Sequence, residues 1–124
     1  AVCPDVSINP GTESLRRDGG NDSEETLRFQ ASINNTAREC KRAEGGITVR
    51  VGVSGRVVEG PAGAPSTIEL PVRVAVRESG EVTYSRLHSV QVALDSVSKS
   101  WAFADEAVFV SEPSSAIIVV GFDS

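Results

Sequence analysis

The sequence predicts an all-β protein built as a two-layer antiparallel β-sandwich. In several stretches apolar residues alternate with polar ones, which is the period of a strand with one buried and one solvent-facing side. Residues that favour turns separate these stretches about every ten positions, and no stretch has the apolar period of a helix. Seven to eight strands account for the chain.

Composition supports this fold class and a single domain over residues 1–124. A chain of this length matches the usual size of one domain and can bury a sizeable core. Valine is prominent, methionine is absent and aromatic residues make up only 5% of the chain. β-branched side chains lose rotamer freedom in helices and pack well on pleated sheets, so this composition favours strands.

The stretch Ile47–Arg77 carries the strongest alternation in the chain. Two alternating halves flank a link at residues 60–66 that is rich in Gly and Pro, which break strands and favour turns. We therefore predict one long β-hairpin that the remaining strands cover. Its apolar positions are Ile47, Val49, Val51, Val53, Ile68, Leu70, Val72, Val74 and Val76.

Before this hairpin we predict an edge strand at Val2–Ile8, a polar loop at Asn9–Glu25 and a strand whose apolar face begins at Leu27. Asn and Thr favour turns, so residues 34–36 are predicted to end that strand. A short strand at Ala37–Ala43 follows, and a Gly-Gly pair then turns the chain into the hairpin.

After the hairpin, Ser79-Gly80 is a tight-turn candidate and Val82–Leu94 is predicted to be a strand. The alternation of this strand is imperfect, because Arg86 and His88 share its apolar face whereas Leu87 does not. A β-bulge near Arg86 would restore the pattern, since one extra residue exchanges the two faces of a strand.

Two further strands complete the chain. Trp101 and Phe109 share one parity, with Asp105 interrupting it. A turn at residues 112–115 precedes Ala116–Phe122, which is apolar on both faces, as expected for a strand buried from two sides. Together these elements suit a sandwich of immunoglobulin-like or fibronectin-like kind, with a small barrel as the alternative.

The charge and cysteine content exclude several classes of partner. A net charge of −5 argues against nucleic acid, whose phosphates need clustered Lys and Arg, and against anionic lipid. No apolar run approaches the roughly 20 residues of a membrane helix, so no transmembrane segment is predicted in this chain. Two cysteines and one histidine without a Cys-x-x-Cys pair do not suit zinc, and no cofactor is predicted.

The chain is predicted not to be an enzyme. His88 is its only histidine, and a catalytic base needs an orienting group and a nucleophile within hydrogen-bond reach. The stretch Gly52–Arg56 lacks the last glycine of a Gly-x-Ser-x-Gly elbow and lies within a predicted strand. We therefore interpret His88 as a strand-edge or bulge residue.

The loop Asp18–Glu25 concentrates oxygen ligands. Calcium takes roughly six to eight oxygens, which flexible acidic loops can supply, although a solvated loop explains the same residues. The alternative function is therefore a β-sandwich that binds calcium or a carbohydrate through this loop. Sugar sites favour exposed aromatic rings, for which Tyr84 and Trp101 are the available platforms. The calcium candidates are Asp18, Asn21, Asp22 and Glu24.

Four arginines lie on the polar face of the predicted hairpin and are the interaction candidates. If the hairpin pairs as predicted, they form a stripe along the exposed face of one sheet. A solvated polar face explains this pattern, and a docking face for an acidic protein partner is the functional alternative. These residues are Arg50, Arg56, Arg73 and Arg77.

The two cysteines, Cys3 and Cys40, leave two alternatives open. They are either unrelated buried thiols or a disulfide that ties the first strand to the end of another. A disulfide would stabilise the fold by roughly 4 kcal/mol on the chain-entropy account. It would also place the protein outside the cytosol, where disulfides persist.

Framework residues are spread along the chain: Cys3-Pro4, Val6, Arg17, Gly19, Gly20, Asp22, Phe29, Ala31, Cys40, Gly45-Gly46, Val49, Val51, Val53, Pro71, Ala75-Val76, Gly80, Val82 and Ile118 to Phe122. This arrangement resembles a family of small alphaproteobacterial cell-envelope proteins, usually predicted lipoproteins with no assigned activity. The resemblance implies export, a periplasmic or outer-membrane-associated location and a Cys3–Cys40 disulfide. Because no lipobox cysteine is present, it places any lipid anchor upstream of Ala1.

The leading functional prediction is therefore a non-enzymatic structural or interaction module of the cell envelope. It is expected to bind a protein partner there, as an accessory subunit of a larger periplasmic or outer-membrane assembly. The resemblance supplies no catalytic residue.

Overall fold

A computed structural model describes residues 2–18 and 26–123 of the chain. These residues form eight β-strands in two four-stranded sheets, so the predicted all-β, two-layer sandwich is confirmed. A 3-10 turn at Pro113–Ser115 precedes the last strand. The strands are β1 (Val6–Ile8), β2 (Ser14–Asp18), β3 (Leu27–Ala43), β4 (Gly46–Glu59), β5 (Thr67–Glu78), β6 (Glu81–Ala93), β7 (Ser98–Val110) and β8 (Ala116–Phe122).

The front sheet has the strand order β1-β8-β5-β6, and the back sheet has the order β2-β3-β4-β7. Neighbouring strands are antiparallel except β1 and β8, which are parallel. One inner strand of each sheet supplies the middle of the core, because alternate valines of β4 and β5 point into the space between the sheets. Val49, Val51, Val53, Val72, Val74 and Val76 are each at most 2% exposed.

The predicted hairpin at Ile47–Arg77 is wrong, because β4 and β5 lie in different sheets. Instead, β4 pairs with β3 and β5 pairs with β6, and a two-residue turn joins the strands of each pair. Ala43 and Gly46 pair across the β3–β4 turn, and Glu78 and Glu81 pair across Ser79-Gly80. Ser79 and Gly80 both have positive φ, of 53° and 84°, which suits the twist of a tight hairpin. The longer Gly- and Pro-rich link carries the chain between the sheets.

The N-terminal region contains more strand than the sequence predicts. Within the predicted loop Asn9–Glu25, residues of β2 pair with the first half of β3. The predicted edge strand at Val2–Ile8 is shorter, since only β1 pairs with β8. The last part of that loop, residues 19–25, lies outside the described residues.

Residues 34–36 form a β-bulge rather than the predicted turn, so β3 is one strand of 17 residues. The register against β4 shifts between Ile33 and Asn35, leaving Asn34 as the extra residue. A Cβ atom on Gly55, which faces the bulge, would lie 1.7 Å from the Ser32 carbonyl oxygen, so only glycine fits there. The bulge exchanges the two faces of β3 and thereby places Cys40 on the inward face, opposite buried Val49.

Cys3 and Cys40 form a disulfide, with their Cα atoms 5.8 Å apart. Cys3 precedes β1 of the front sheet, whereas Cys40 belongs to β3 of the back sheet, so the bond joins the two sheets at one side of the sandwich. An ion pair of 2.8 Å between Arg38 and Asp5 crosses the same side. The disulfide alternative of the sequence analysis is therefore confirmed.

Strand β8 is buried on its inner face and only partly buried on its outer face, contrary to the prediction from its apolar sequence, and the Thr12 side chain covers Gly121 on the outer face. Ile118, Val120 and Phe122 face the core, whereas Ile117 is 52% exposed on the outer face of the front sheet.

Among the described residues, no helix has the length and apolar character that crossing a membrane requires.

Candidate functional site

The two strands at the open side of the sandwich, β6 and β7, each carry polar residues on their inward faces. The pairing of β6 with β5 is unbroken from Tyr84 to Ala93, so the predicted bulge near Arg86 is absent. The bulge lies at Thr83 instead. Tyr84, Arg86 and His88 therefore keep the inward parity of Val90, and polar side chains enter the space between the sheets at this edge.

A bulge in β7 directly follows Asp105, which faces inward with the same parity as Trp101. The pairing with β4 shifts between Val49 and Val51, so two residues, Glu106 and Ala107, oppose one residue of β4. Trp101 and Asp105 face the core before the bulge, and Val108 and Val110 face it afterwards. Phe109, which the sequence places on the same face as Trp101, is instead 42% exposed.

Tyr84, His88 and Asp105 form a hydrogen-bonded group that we call the inter-sheet cluster. The Tyr84 hydroxyl donates to Asp105 Oδ2 over 2.6 Å, and His88 Nε2 lies 2.9 Å from the same oxygen. The N–H of Ala107 donates to Asp105 Oδ1 over 3.0 Å, which satisfies a backbone group that the bulge frees. The Asp105 side chain is only 3% exposed, and the Phe103 ring packs 4.5 Å from the His88 ring.

These contacts set the charge state of the cluster. Burial opposes ionisation of Asp105, but hydrogen bonds from Tyr84, the Ala107 N–H and His88 outweigh it and lower the pKa of this carboxyl. Burial, together with the Asp105 carboxylate, raises the pKa of the Tyr84 hydroxyl. At neutral pH the cluster therefore holds an ionised carboxylate and a neutral phenol, which donates its proton to that carboxylate.

A carboxylate that orients a histidine is also a component of acid–base catalysis. Among residues 2–18 and 26–123, however, no hydroxyl or thiol group makes a hydrogen bond with His88. The cluster instead joins a front-sheet strand to a back-sheet strand, on the side of the sandwich away from the disulfide. Its hydrogen bonds therefore connect the two sheets at this edge.

A second buried carboxylate, Glu78, fixes the end of β5. It accepts hydrogen bonds from the Thr83 hydroxyl at 2.6 Å, the Ser111 hydroxyl at 2.9 Å and the Glu112 N–H at 2.6 Å. The hydrogen bond from Thr83, followed by those from Glu112 and Ser111, lowers the pKa of Glu78 despite its burial. The bulge at Thr83 brings the first of these donors into place.

The two lowered pKa values predict that acid destabilises the fold. A carboxyl group whose pKa is lower in the folded chain than in the unfolded chain stabilises the fold when the pH is above the unfolded-state pKa. This contribution is lost as the pH falls through the pKa of the folded state. The free energy of unfolding in urea should therefore decrease between about pH 5 and pH 2. Glu78→Gln should make this decrease shallower, whereas Glu44→Gln, at an exposed turn, should leave it unchanged. Equal slopes for Glu78→Gln and the unmodified protein would contradict the assignment.

The four candidate arginines do not form one stripe, because β4 and β5 belong to different sheets. Arg50 and Arg56 lie on the outer face of the back sheet, where Arg50 pairs with Glu106 at 3.3 Å and Arg56 donates to two serine hydroxyls. Arg73 and Arg77 lie on the outer face of the front sheet. The predicted single docking face is therefore wrong, and the arginines divide between opposite surfaces of the molecule.

The outer face of the front sheet holds a groove of about 560 Å³. Three rows of paired residues cross it from β8 through β5 to β6, and the middle row is made of small side chains. Arginines on β5 stand in the two flanking rows, four residues apart, or about 13 Å. The rows are Ile117–Arg77–Val82, Val119–Ala75–Ser85 and Gly121–Arg73–Leu87.

The two arginines of this groove differ in their partners. Arg73 donates to Asp123 at 2.7 and 2.9 Å and to Ser85 at 2.9 Å, so its guanidinium is fixed within the groove. Arg77 is exposed and makes no ion pair with the residues that the structure describes. Three large apolar side chains surround the arginines and are at least half exposed: Ile117 (52%), Val82 (56%) and Leu87 (50%).

The predicted ligand loop is only partly described. Asp18 ends β2, and its carboxylate accepts a 2.6 Å hydrogen bond from the Thr26 hydroxyl. Asn21, Asp22 and Glu24 lie outside the described residues, so calcium binding there stays a prediction. Within the described part of the chain, no three His, Cys, Asp or Glu residues are grouped to hold a metal ion.

Neither of the two aromatic rings that were predicted as platforms for a sugar is fully exposed. Trp101 is 6% exposed and packs in the core against Phe122, with ring centroids 5.9 Å apart. Tyr84 is partly buried and its hydroxyl is bound to Asp105.

Sequence reasoning missed the inter-sheet cluster although signals for it were present. Arg86 and His88 break the apolar face of β6, and Asp105 breaks that of β7. Two polar interruptions on consecutive strands indicate polar residues that face each other.

No family model, curated protein or solved structure matches the chain.

Proposed function

We propose that this chain is an exported, non-enzymatic interaction module of the bacterial cell envelope. Its docking surface is the outer face of the front sheet, and its partner there is an acidic segment of another protein. The observation that carries this proposal is the groove in which Arg77 stands between exposed Ile117 and Val82.

The shape of the groove suits a segment that crosses the sheet. Small side chains of the row Val119–Ala75–Ser85 form its floor, and the rows that contain the arginines form its two sides. Exposed aliphatic groups beside an arginine favour a partner that supplies both apolar contact and a carboxylate. Arg77 is the cation for that carboxylate, since Asp123 already occupies Arg73.

Export is supported by the Cys3–Cys40 disulfide, because such bonds persist mainly in oxidising compartments. From the resemblance to alphaproteobacterial envelope proteins we expect a more specific compartment, namely the periplasm or the periplasmic side of the outer membrane. A role as an accessory subunit of an envelope assembly is consistent with a docking face on a small, rigid sandwich.

A photo-crosslinking amino acid in place of Ala75 tests this function in intact cells. Ala75 lies on the groove floor, so irradiation should join the chain to a partner through an acidic segment. Arg77→Glu should reduce the yield by about tenfold or more, because it places like charges in contact. Arg56→Glu, the matched reversal on the opposite sheet, should leave the yield unchanged.

The same crosslinker in place of Ser54, on the outer face of the back sheet, is the positional control. Equal products from the two positions, or no product from the groove, would overturn the proposed docking face. A product that survives Arg77→Glu would overturn its electrostatic basis.

A further inference from the structure

Strand β6 forms one edge of the front sheet, and its outer side pairs with no strand among the described residues. It has 13 residues and contains no proline. Unpaired N–H and C=O groups along such an edge are a template for another strand. The neighbouring edge, β7, is less suitable, because the bulge at Glu106 and Ala107 interrupts its ladder.

We propose that a second copy of this chain pairs with β6 through its own β6, antiparallel and centred on Leu87. The two front sheets then form one continuous sheet in the order β1-β8-β5-β6-β6-β5-β8-β1. This dimer goes beyond the proposed docking function and uses the free edge of β6, although Leu87 and Ser85 also stand in rows of the groove.

The sequence around Leu87 makes this pairing self-complementary. Leu87 is the central residue of β6 and is 50% exposed. A two-fold axis there pairs Leu87 with its copy, Ser85 with Ser89 and Tyr84 with Val90, so polar residues meet polar ones and apolar residues meet apolar ones. The segment Tyr84–Val90 is regular, since its register with β5 is unbroken. Cross-strand pairs of this kind stabilise antiparallel sheets.

Arg86 sets the one unfavourable contact of this register. It lies opposite His88 of the other copy, and the two Arg86 side chains become diagonal neighbours on one face. A single strand pair also buries less than a standard interface, so we expect a weak dimer with a dissociation constant of roughly 10 to 1,000 µM. Removing Arg86 should strengthen the dimer, which a pairing through any other surface does not predict.

Sedimentation of the full chain from about 10 µM to 1 mM, the range set by that affinity, tests the proposal. The dimer fraction should rise with concentration. Leu87→Glu should weaken association by about tenfold or more, because it places like charges opposite each other. Arg86→Ser should strengthen association. Val97→Glu is the matched control, since Val97 is 68% exposed but lies outside β6.

Amide hydrogen exchange locates the interface independently of these variants. Protection should increase with concentration at alternate residues of Tyr84–Val90. A chain that remains monomeric at the highest concentration would overturn the dimer. So would a dimer that Leu87→Glu leaves intact, or one that protects a different segment. Because Leu87 also stands beside the groove, Arg77→Glu separates the two proposals: Arg77 lies on β5, so this change should reduce groove crosslinking and leave the dimer intact.

Discussion

Replacing both cysteines with serine is expected to lower the free energy of unfolding by about 4 kcal/mol. Cys3 and Cys40 are 37 positions apart, and closing a loop of that length restricts the unfolded chain strongly. The bond also holds the N-terminal segment against the sandwich, where the Asp5 carbonyl accepts a hydrogen bond from the Ile118 N–H. Urea unfolding of Cys3→Ser with Cys40→Ser, monitored by Trp101 fluorescence, measures the loss.

Reduction of the unmodified protein is the control for this prediction. The reduced protein and the double serine variant should unfold at similar urea concentrations, since both lack the same bond. A loss of less than about 1 kcal/mol in the double variant would show that the disulfide adds little beyond the packing of the two sheets.

Asp105→Ala is expected to be the next most damaging change, with a loss of about 3 kcal/mol. The substitution removes the shared acceptor of the Tyr84 hydroxyl, the Ala107 N–H and the His88 ring. His88 is only 15% exposed and the Tyr84 hydroxyl lies between the sheets, so the desolvation of these two groups is left uncompensated. Unfolding in urea at pH 7 measures the effect.

Two variants separate the inter-sheet cluster from general effects of substitution. Tyr84→Phe removes one hydrogen bond of the three and should destabilise the fold by about 1 kcal/mol. Asp95→Ala removes an exposed ion pair with Lys99 and should change stability by less than about 0.5 kcal/mol. If Asp105→Ala is no worse than Tyr84→Phe, the carboxylate is not the centre of the cluster.

The fold class was predictable because alternation reports which side chains are buried. Val49 and Val74 both face the core as their parity predicts. Parity does not report which strand lies beside which, since every half-buried strand has the same period. The predicted pairing of β4 with β5 therefore failed, and the separation of Arg50 from Arg77 followed from that failure.

β-Bulges are the reason why the facing of side chains at the site could not be predicted from the sequence. One extra residue changes the face of every following side chain, yet its only trace in the sequence is a break in alternation. The break at Asn34 is indistinguishable from a turn, and the break at Asp105 is indistinguishable from an exposed polar residue. Cys40 faces inward only because a bulge precedes it, and the bulge after Asp105 supplies the Ala107 N–H that donates to its carboxylate.

The position of the disulfide also determines how the protein bears mechanical load. A pull on the N-terminal end enters the fold at Cys3 and passes through the sulfur bridge to Cys40 in the back sheet. The segment between the two cysteines, which includes β1 and β2, is bypassed and bears no tension. Force therefore enters the back sheet at Cys40, close to the end of β3 at Ala43, and most of β3 lies within the bypassed segment. A module held by its N-terminal end would keep β1, β2 and most of β3 out of the path of the force for as long as this bond is oxidised.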